Sequence, residues 1–229
     1  MEWREIALGV ALMQYPLRAF GIDFRRCVTL LRLADGRVVI HSSAPFTAED
    51  VAAIRRFGVP SWLVEATLMH DTFAQPVRAV FPDLPYLAPE GFAKLSGVPS
   101  RSLDSPPSDW AGQIEVLKVE GLRKINEHAF FHCASRTLVL ADLLFHFPVD
   151  SRGWPRFFAR HMMRLPRLSG ISAFFRLMIR DRAAFALSMK KMLEWDFERI
   201  VVGHGEPIQN NAKRIFAQAL RDRGLAING

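Results

Sequence analysis

Two cysteines, Cys27 and Cys133, are all that the 229-residue chain contains. They are too few for a disulfide scaffold and too far apart for a Cys-x-x-Cys zinc or redox motif. A reducing, cytoplasmic compartment is the expectation. No apolar run approaches the roughly 20 residues that a spanning helix needs. The apolar stretch at 6–13 lacks the basic start and small-residue cleavage site of a secretory signal. The reading is of a soluble protein, at most peripheral to a membrane. No low-complexity tract occurs, and with 50% hydrophobic and 23% charged residues the composition excludes disorder. A chain of this length buries roughly 70% of its unfolded surface, so one domain over 1–229 is expected. Acids are nearly missing from one segment. Residues 151–182 hold eight arginines against a single acid, Asp181, which accounts for the whole formal charge of +7. The rest of the chain is balanced.

What is present reads as mixed α/β. Residues 27–33 and 37–41 are predicted strands joined by Asp35-Gly36, a turn that supplies positive φ at low steric cost. Thr47 before Ala48-Glu49-Asp50 has the chemistry of an N-cap with acids in the first turn, so a helix to about Phe57 follows. Gly58 and Pro60 stop it ahead of a strand at 61–66. A helix after Thr72 closes near Pro82, before a short strand at 83–87. The stretch 100–110 is rich in Ser, Pro and Asp and reads as exposed loop. Further strands are predicted at 114–119, 128–133 and 137–141. Arg156, Arg160, Arg164 and Arg167 are spaced by four, four and three, which predicts a helix with one basic face that Pro166 breaks. Other helices begin near Ile171 and Arg182, the second running to Trp195. Ile200-Val201-Val202 is a β-branched strand, and Asn210 or Asn211 caps a last helix that stops at Gly224.

Gly203-His204-Gly205 follows that strand, where two glycines let the backbone turn sharply and approach something closely. Alone, such a triplet is more often an ordinary turn. Two further polar residues stand at the ends of apolar strands in chain order: His70 and Asp142. His41 also ends a strand, where a backbone carbonyl is its expected partner, and His146 and His161 read as structural. Cys133 is rejected as a nucleophile, because its neighbour His132 points to the opposite face of a strand. Trp154, Phe157, Phe158, Phe174 and Phe175 read first as core-facing positions with arginines on the solvated side. The sharper alternative is an amphipathic surface for anionic lipid or an anionic ligand.

In order and spacing, Asp35-Gly36 to His41-Ser42-Ser43, His70-Asp71, His132 with Ser135-Arg136-Thr137-Leu138 and Asp142, and Trp195-Asp196-Phe197 leading into Gly203-His204-Gly205 resemble the metallo-β-lactamase superfamily. They are more closely similar to a subgroup of it known as a domain of unknown function. The resemblance covers nearly the whole chain, although each motif alone is weak. It implies an α/β (α+β) fold, a metallo-β-lactamase-like four-layer αβ/βα sandwich with its metal site along one edge of two facing sheets, here with a helical insertion near 152–195. The superfamily's His-x-His-x-Asp-His motif puts its first histidine on His70 and the others on Thr72, Ala74 and Gln75. The further histidine expected before the bridging aspartate falls near Gly121 or Leu122, so the metal motif is degenerate. Asp142 matches that aspartate and His204 the final histidine. In the family's arrangement the three divide between two metals, and Asp71 or His132 would be needed to complete a rearranged single-metal site.

One divalent ion, Zn, Fe or Mn, suits such a set; the alternative is no metal, with the three side chains hydrogen-bonded to one another. The implied activity is hydrolysis of an ester, thioester or phosphoester by metal-activated water, with no catalytic side chain singled out and with Arg176, Arg180 and Arg182 as candidate anion-binding residues. Expected partners are an anionic small-molecule substrate or an anionic membrane surface. Nucleic acid is disfavoured, since no recognised binding motif accompanies the charge. The competing reading is a non-catalytic descendant of the fold, a binding or peripheral-membrane module acting through its arginine-rich helices.

Overall fold

In the computed structural model, which describes residues 3–148 and 150–225, the strands form two main sheets. The larger has seven strands in the order Arg4–Ala7, Val10–Tyr15, Arg26–Arg32, Arg37–His41, Val59–Val64, Tyr86–Ala88 and Arg101–Ser102. The first four are antiparallel and the remainder add in parallel. The smaller holds Ile114–Lys118, His128–His132, Thr137–Val139 and Arg199–Val201, the last two parallel.

Side-chain alternation turns these sheets into layers. Val10, Leu12, Leu31 and Val39 of the larger sheet share one apolar cluster with Phe130, Val139 and Val201 of the smaller, so the two sheets pack face to face. The intervening residues point outward: Ala11, Met13, Leu30 and Ile40 meet Ile54, Val77 and Phe92 from the helices Ala48–Phe57, Ala74–Val80 and Phe92–Ser96. On the far side Leu138 and Ile200 meet Phe185, Met189, Phe216 and Leu220 from the helices Arg182–Glu194 and Ala212–Asp222. Three apolar clusters separate four layers. Each fully buried Leu, Ile or Phe contributes about 1.5–3 kcal/mol, so a one-residue slip in any central strand would invert two of these clusters at once.

The predicted hairpin, with its turn at Asp35-Gly36, is present. So is the Thr47 cap: its hydroxyl accepts from Asp50 N–H while the Asp50 carboxylate accepts from Thr47 N–H. Three local expectations fail. The 100–110 stretch is no simple exposed loop, because Leu103 and Trp110 are buried and Arg101–Ser102 extends the sheet; apolar contacts outweigh its turn-rich composition. The basic helix is short, an α-turn over Gly153–Phe157 continuing as a π-helix over Phe158–Met162. Met163 N–H reaches back to the Phe158 carbonyl and Arg164 has φ +57, so the four arginines do not ride one α-helical face. Asn211 does precede the last helix, but in a left-handed conformation and with no side-chain cap bond. Among the described residues no helix is long and apolar enough to cross a membrane.

Candidate metal centre

Three strands deliver the candidate ligands from their carboxyl ends, where parallel sheets leave room for a site. The chain leaves Val59–Val64 through Glu65 and comes to His70; Thr137–Val139 and Arg199–Val201 run out to Asp142 and His204. The glycines beside His204 are required for space. A Cβ on Gly203 would stand 2.6 Å from the Ala141 carbonyl oxygen, and one on Gly205, at φ +106, would collide with the His146 carbonyl.

His70 Nε2 lies 3.2 Å from His204 Nε2, and each lies 3.4 Å from Asp142 Oδ1. Ligand atoms about 2.0–2.1 Å from a tetrahedral ion stand about 3.3–3.4 Å from one another. A charge-assisted histidine–carboxylate hydrogen bond would draw its atoms to about 2.7–2.9 Å instead. The nearly equilateral spacing fits one face of a coordination tetrahedron better than a hydrogen-bonded triad. All three candidate ligand atoms lie within 4.8 Å of one another. Neither reserve ligand joins them. His132 is engaged with Ser135 Oγ and the Arg32 carbonyl, and Asp71 is absent from the cluster.

The donors are held in the state an ion requires. His204 Nδ1–H donates to the Arg25 carbonyl at 3.2 Å, which leaves the Nε2 lone pair directed at the cluster. Its ring is stacked on Phe145 and edged by Phe24. Burial, reinforced by Arg26, lowers the His70 imidazole to about 4 against the pull of Asp142, so it is neutral near pH 7. Burial by itself raises the Asp142 carboxyl, but His70 and His204 outweigh it and hold the group well below the usual carboxylate range. Among the described residues Asp142 Oδ2 is buried without a hydrogen-bond partner. Beneath the loop, Glu127 accepts the backbone N–H groups of Ala141, Asp142 and Leu143 at 3.0–3.1 Å. Burial and the Asp142 charge push the Glu127 carboxyl up, while those three donors pull it down.

A second buried charge stands beside the cluster. Arg26 donates from Nε to the Ser43 carbonyl at 3.2 Å, and from Nη2 to Glu65 Oε2 at 3.0 Å and to the His70 carbonyl at 3.4 Å. Among the described residues nothing accepts from its Nη1. Glu65 also accepts from Ser43 N–H at 2.7 Å, from Ser43 Oγ and from Tyr86 OH. Burial pushes its carboxyl up, with Arg26 and Ser43 opposing.

Arg26, His70, Asp142 and His204 line a cavity of about 300 Å³ whose other walls are mainly apolar, among them Phe24, Phe73, Ile125, Phe145 and Phe175. Arg176, Arg180 and Arg182 are not among its lining residues; Arg176 donates to the Arg223 carbonyl, and the other two are exposed on the surface. His41 is buried edge-on against Phe130; among the described residues its Nε2 has no partner, while a backbone hydrogen bond within its own residue supports the imidazole. Burial lowers its imidazole to about 3. Burial pushes the Cys27 thiol up to about 12, away from the thiolate that a nucleophile requires. Sequence reasoning passed over Arg26, Glu65 and Glu127. Their signal was there: each is an ionisable residue at the border of an apolar strand, the position at which burial demands a partner.

No protein-family model matches the chain, and no curated protein matches it. Solved structures do. A metallo-beta-lactamase from Erythrobacter litoralis, crystallised with beta mercaptoethanol in its active site, superposes with a TM-score of 0.65 at 13% identity, over 96% of each chain. One from Pontibacter korlensis gives 0.63 at 11% identity, over 96% of this chain and 99% of that one. The FIM-1 enzyme from Pseudomonas aeruginosa, in its mono-zinc form, gives 0.63 at 10% identity, over 96% and 95%. The four-layer sandwich is therefore the metallo-β-lactamase fold, and the expected architecture holds over nearly the whole chain.

Proposed function

We propose that the chain is a single-metal hydrolase acting on an ester, thioester or phosphoester that carries an apolar group. The spacing of His70 Nε2, His204 Nε2 and Asp142 Oδ1 at 3.2–3.4 Å supports the reading most directly. Those three residues would hold one divalent ion, zinc being the favoured choice for two imidazoles and a carboxylate, and the mono-zinc form of a fold relative is consistent with that count. When bound, the ion supplies Lewis acidity, lowering the pKa of water and polarising the scissile group.

The protein's own groups divide the remaining work. Asp142 Oδ2, buried and unpartnered, accepts a hydrogen bond from the attacking water and orients it. Arg26, on the cavity wall, donates from its guanidinium to the oxygen on which negative charge develops. Glu65 fixes that guanidinium through Nη2. Glu127 fixes the loop that carries Asp142. Phe24, Phe145 and Phe175 exclude bulk water and receive the apolar part of the substrate.

The test is elemental analysis of protein purified without an affinity tag, followed by a screen of ester, thioester and phosphoester substrates. About one equivalent of metal is expected in the wild type, and His204→Ala and Asp142→Asn would lose it. Ion at a hundredfold excess over Kd would add about 2.7 kcal/mol of stability. Less than about a tenth of an equivalent, with no thermal stabilisation by Zn, Mn or Fe, would remove the reading.

A further inference from the structure

Trp154, Phe157 and Phe174, first read as core-facing, are half exposed, whereas Phe175 alone of that group is fully buried. They belong to a continuous apolar rim. Trp154 stacks on Phe157 and donates from its indole N–H to the Phe20 carbonyl, and Phe20 in turn stacks on Phe158. Phe20 and Phe174 also line the candidate active-site cavity. Phe174 continues into a second depression with Met162 and Leu177, edged by Arg164, Arg176 and Arg223. Exposure along this rim runs from 48% at Trp154 to 75% at Phe20. Single exposed apolar residues need no explanation, but a cluster of large ones around a cavity mouth marks a contact surface.

The charge around the rim says what it contacts. Arg152, Arg160 and Arg164 are exposed between and beside the aromatic residues, in the segment that carries the protein's entire net positive charge. Large aromatics and methionine interleaved with arginine on a short helical segment form the composition that lies in the headgroup region of an anionic bilayer. A soluble anionic ligand would account for the arginines but not for the exposed aromatics. A second copy of the chain would bring two faces of the same sign together.

We propose that this rim docks the protein on an anionic membrane surface, so that the apolar cavity opens toward the lipid and takes its substrate from there. The inference deepens the hydrolase reading by naming where the substrate is presented, and it rests on that reading only for the substrate's fate. Docking itself is separable from catalysis.

Co-sedimentation of the full chain with vesicles of phosphatidylcholine, alone or mixed with phosphatidylglycerol, tests it, with metal content measured on the same preparation. Partitioning to the anionic vesicles is expected to exceed that to neutral ones by more than about tenfold at low salt and to fall steeply between about 0.01 M and 1 M salt, as the Debye length shrinks from roughly 30 Å to 3 Å. Each arginine near the surface contributes about fivefold, so Arg152→Ala with Arg160→Ala lowers partitioning about thirtyfold. Met162→Glu with Leu177→Glu lowers it comparably while leaving bound metal unchanged, since neither residue lines the metal cavity. Equal partitioning to both vesicle types, no partitioning to either, or a concentration-dependent dimer dissolved by the glutamate pair would each overturn the proposal. Metal-free protein that still binds anionic vesicles would support docking while sinking the hydrolase reading; metal-loaded protein that ignores them would do the reverse.

Discussion

Gly203→Ala probes the link between backbone packing and the metal centre. The new Cβ would lie 2.6 Å from the Ala141 carbonyl oxygen, where ordinary contact begins at 3.4 Å. The two chain segments must therefore separate by about 0.8 Å. They are the exits of the parallel strands Thr137–Val139 and Arg199–Val201, already tied by Gly203 N–H to the Ala141 carbonyl at 3.1 Å. One carries Asp142 and the other His204. Coordination tolerates roughly 0.2 Å in each ligand distance, so a shift several times larger breaks the set even if half of it is absorbed elsewhere. Overpacking of this kind costs about 1–3 kcal/mol of stability, and metal affinity is expected to fall more than tenfold. Competition with a chromophoric chelator measures the affinity, and urea unfolding of metal-free protein measures the stability. Gly36→Ala is the control: at φ +87 with nothing within 4 Å, it strains the backbone by about 1–2 kcal/mol without reaching the site. Wild-type metal affinity in Gly203→Ala, or an equal loss in Gly36→Ala, would refute the argument.

Other consequences follow from the buried charges. The folded-state pKa values of His70 and His41, about 4 and about 3, lie below the ordinary 6.5, so the unfolded chain binds more protons between these limits. In metal-free protein each of the two should withdraw up to about 1.4 kcal/mol per pH unit as the pH falls from about 6.5 toward 4, against an opposite contribution from Glu127 and Glu65, whose carboxyls are pushed up; a His41→Gln variant whose urea midpoint falls with pH as steeply as that of the wild type would contradict this. Arg26→Met leaves Glu65 buried without its cation and should cost about 3–5 kcal/mol. The double variant with Glu65→Met should recover much of that stability but not hydrolysis, and recovery of both in a substrate assay would remove the assigned role of Arg26. Glu127→Gln replaces an oxygen that accepts from the Asp142 loop with a donor, so unfolding and metal titration should register about 1–3 kcal/mol of destabilisation and weaker binding together. Unchanged values in both would show that Glu127 does not position Asp142.

Much of the scaffold is written locally. Asp35-Gly36 needs only its own backbone preference to set the hairpin, and the Thr47–Asp50 cap closes within a single turn. Alternation along the central strands likewise predicts which face each residue takes, because the period of two belongs to the strand itself. Local rules failed where distant packing outweighed them. Trp110 is drawn into the core from a loop-like composition, and the basic helix widens into a π-turn after its first five residues.

The sequence by itself determined the order of most strands and helices from residue 27 onward, though not the strands Arg4–Ala7 and Val10–Tyr15 or the helix Phe92–Ser96, together with the confinement of the net charge to one segment and the presence of His70, Asp142 and His204 at strand ends. Only the tertiary structure decided that these three share one point, that Arg26 and Glu65 form a buried pair on the wall beside them, and that Phe20 and Phe174 open to solvent at the cavity mouth. The physical reason is separation along the chain. His70 and His204 are 134 residues apart, and Arg26 and Glu65 are 39. No local propensity spans such distances; strand pairing within the larger sheet brings Arg26 near Glu65, and the stacking of the two sheets brings His70 to Asp142 and His204.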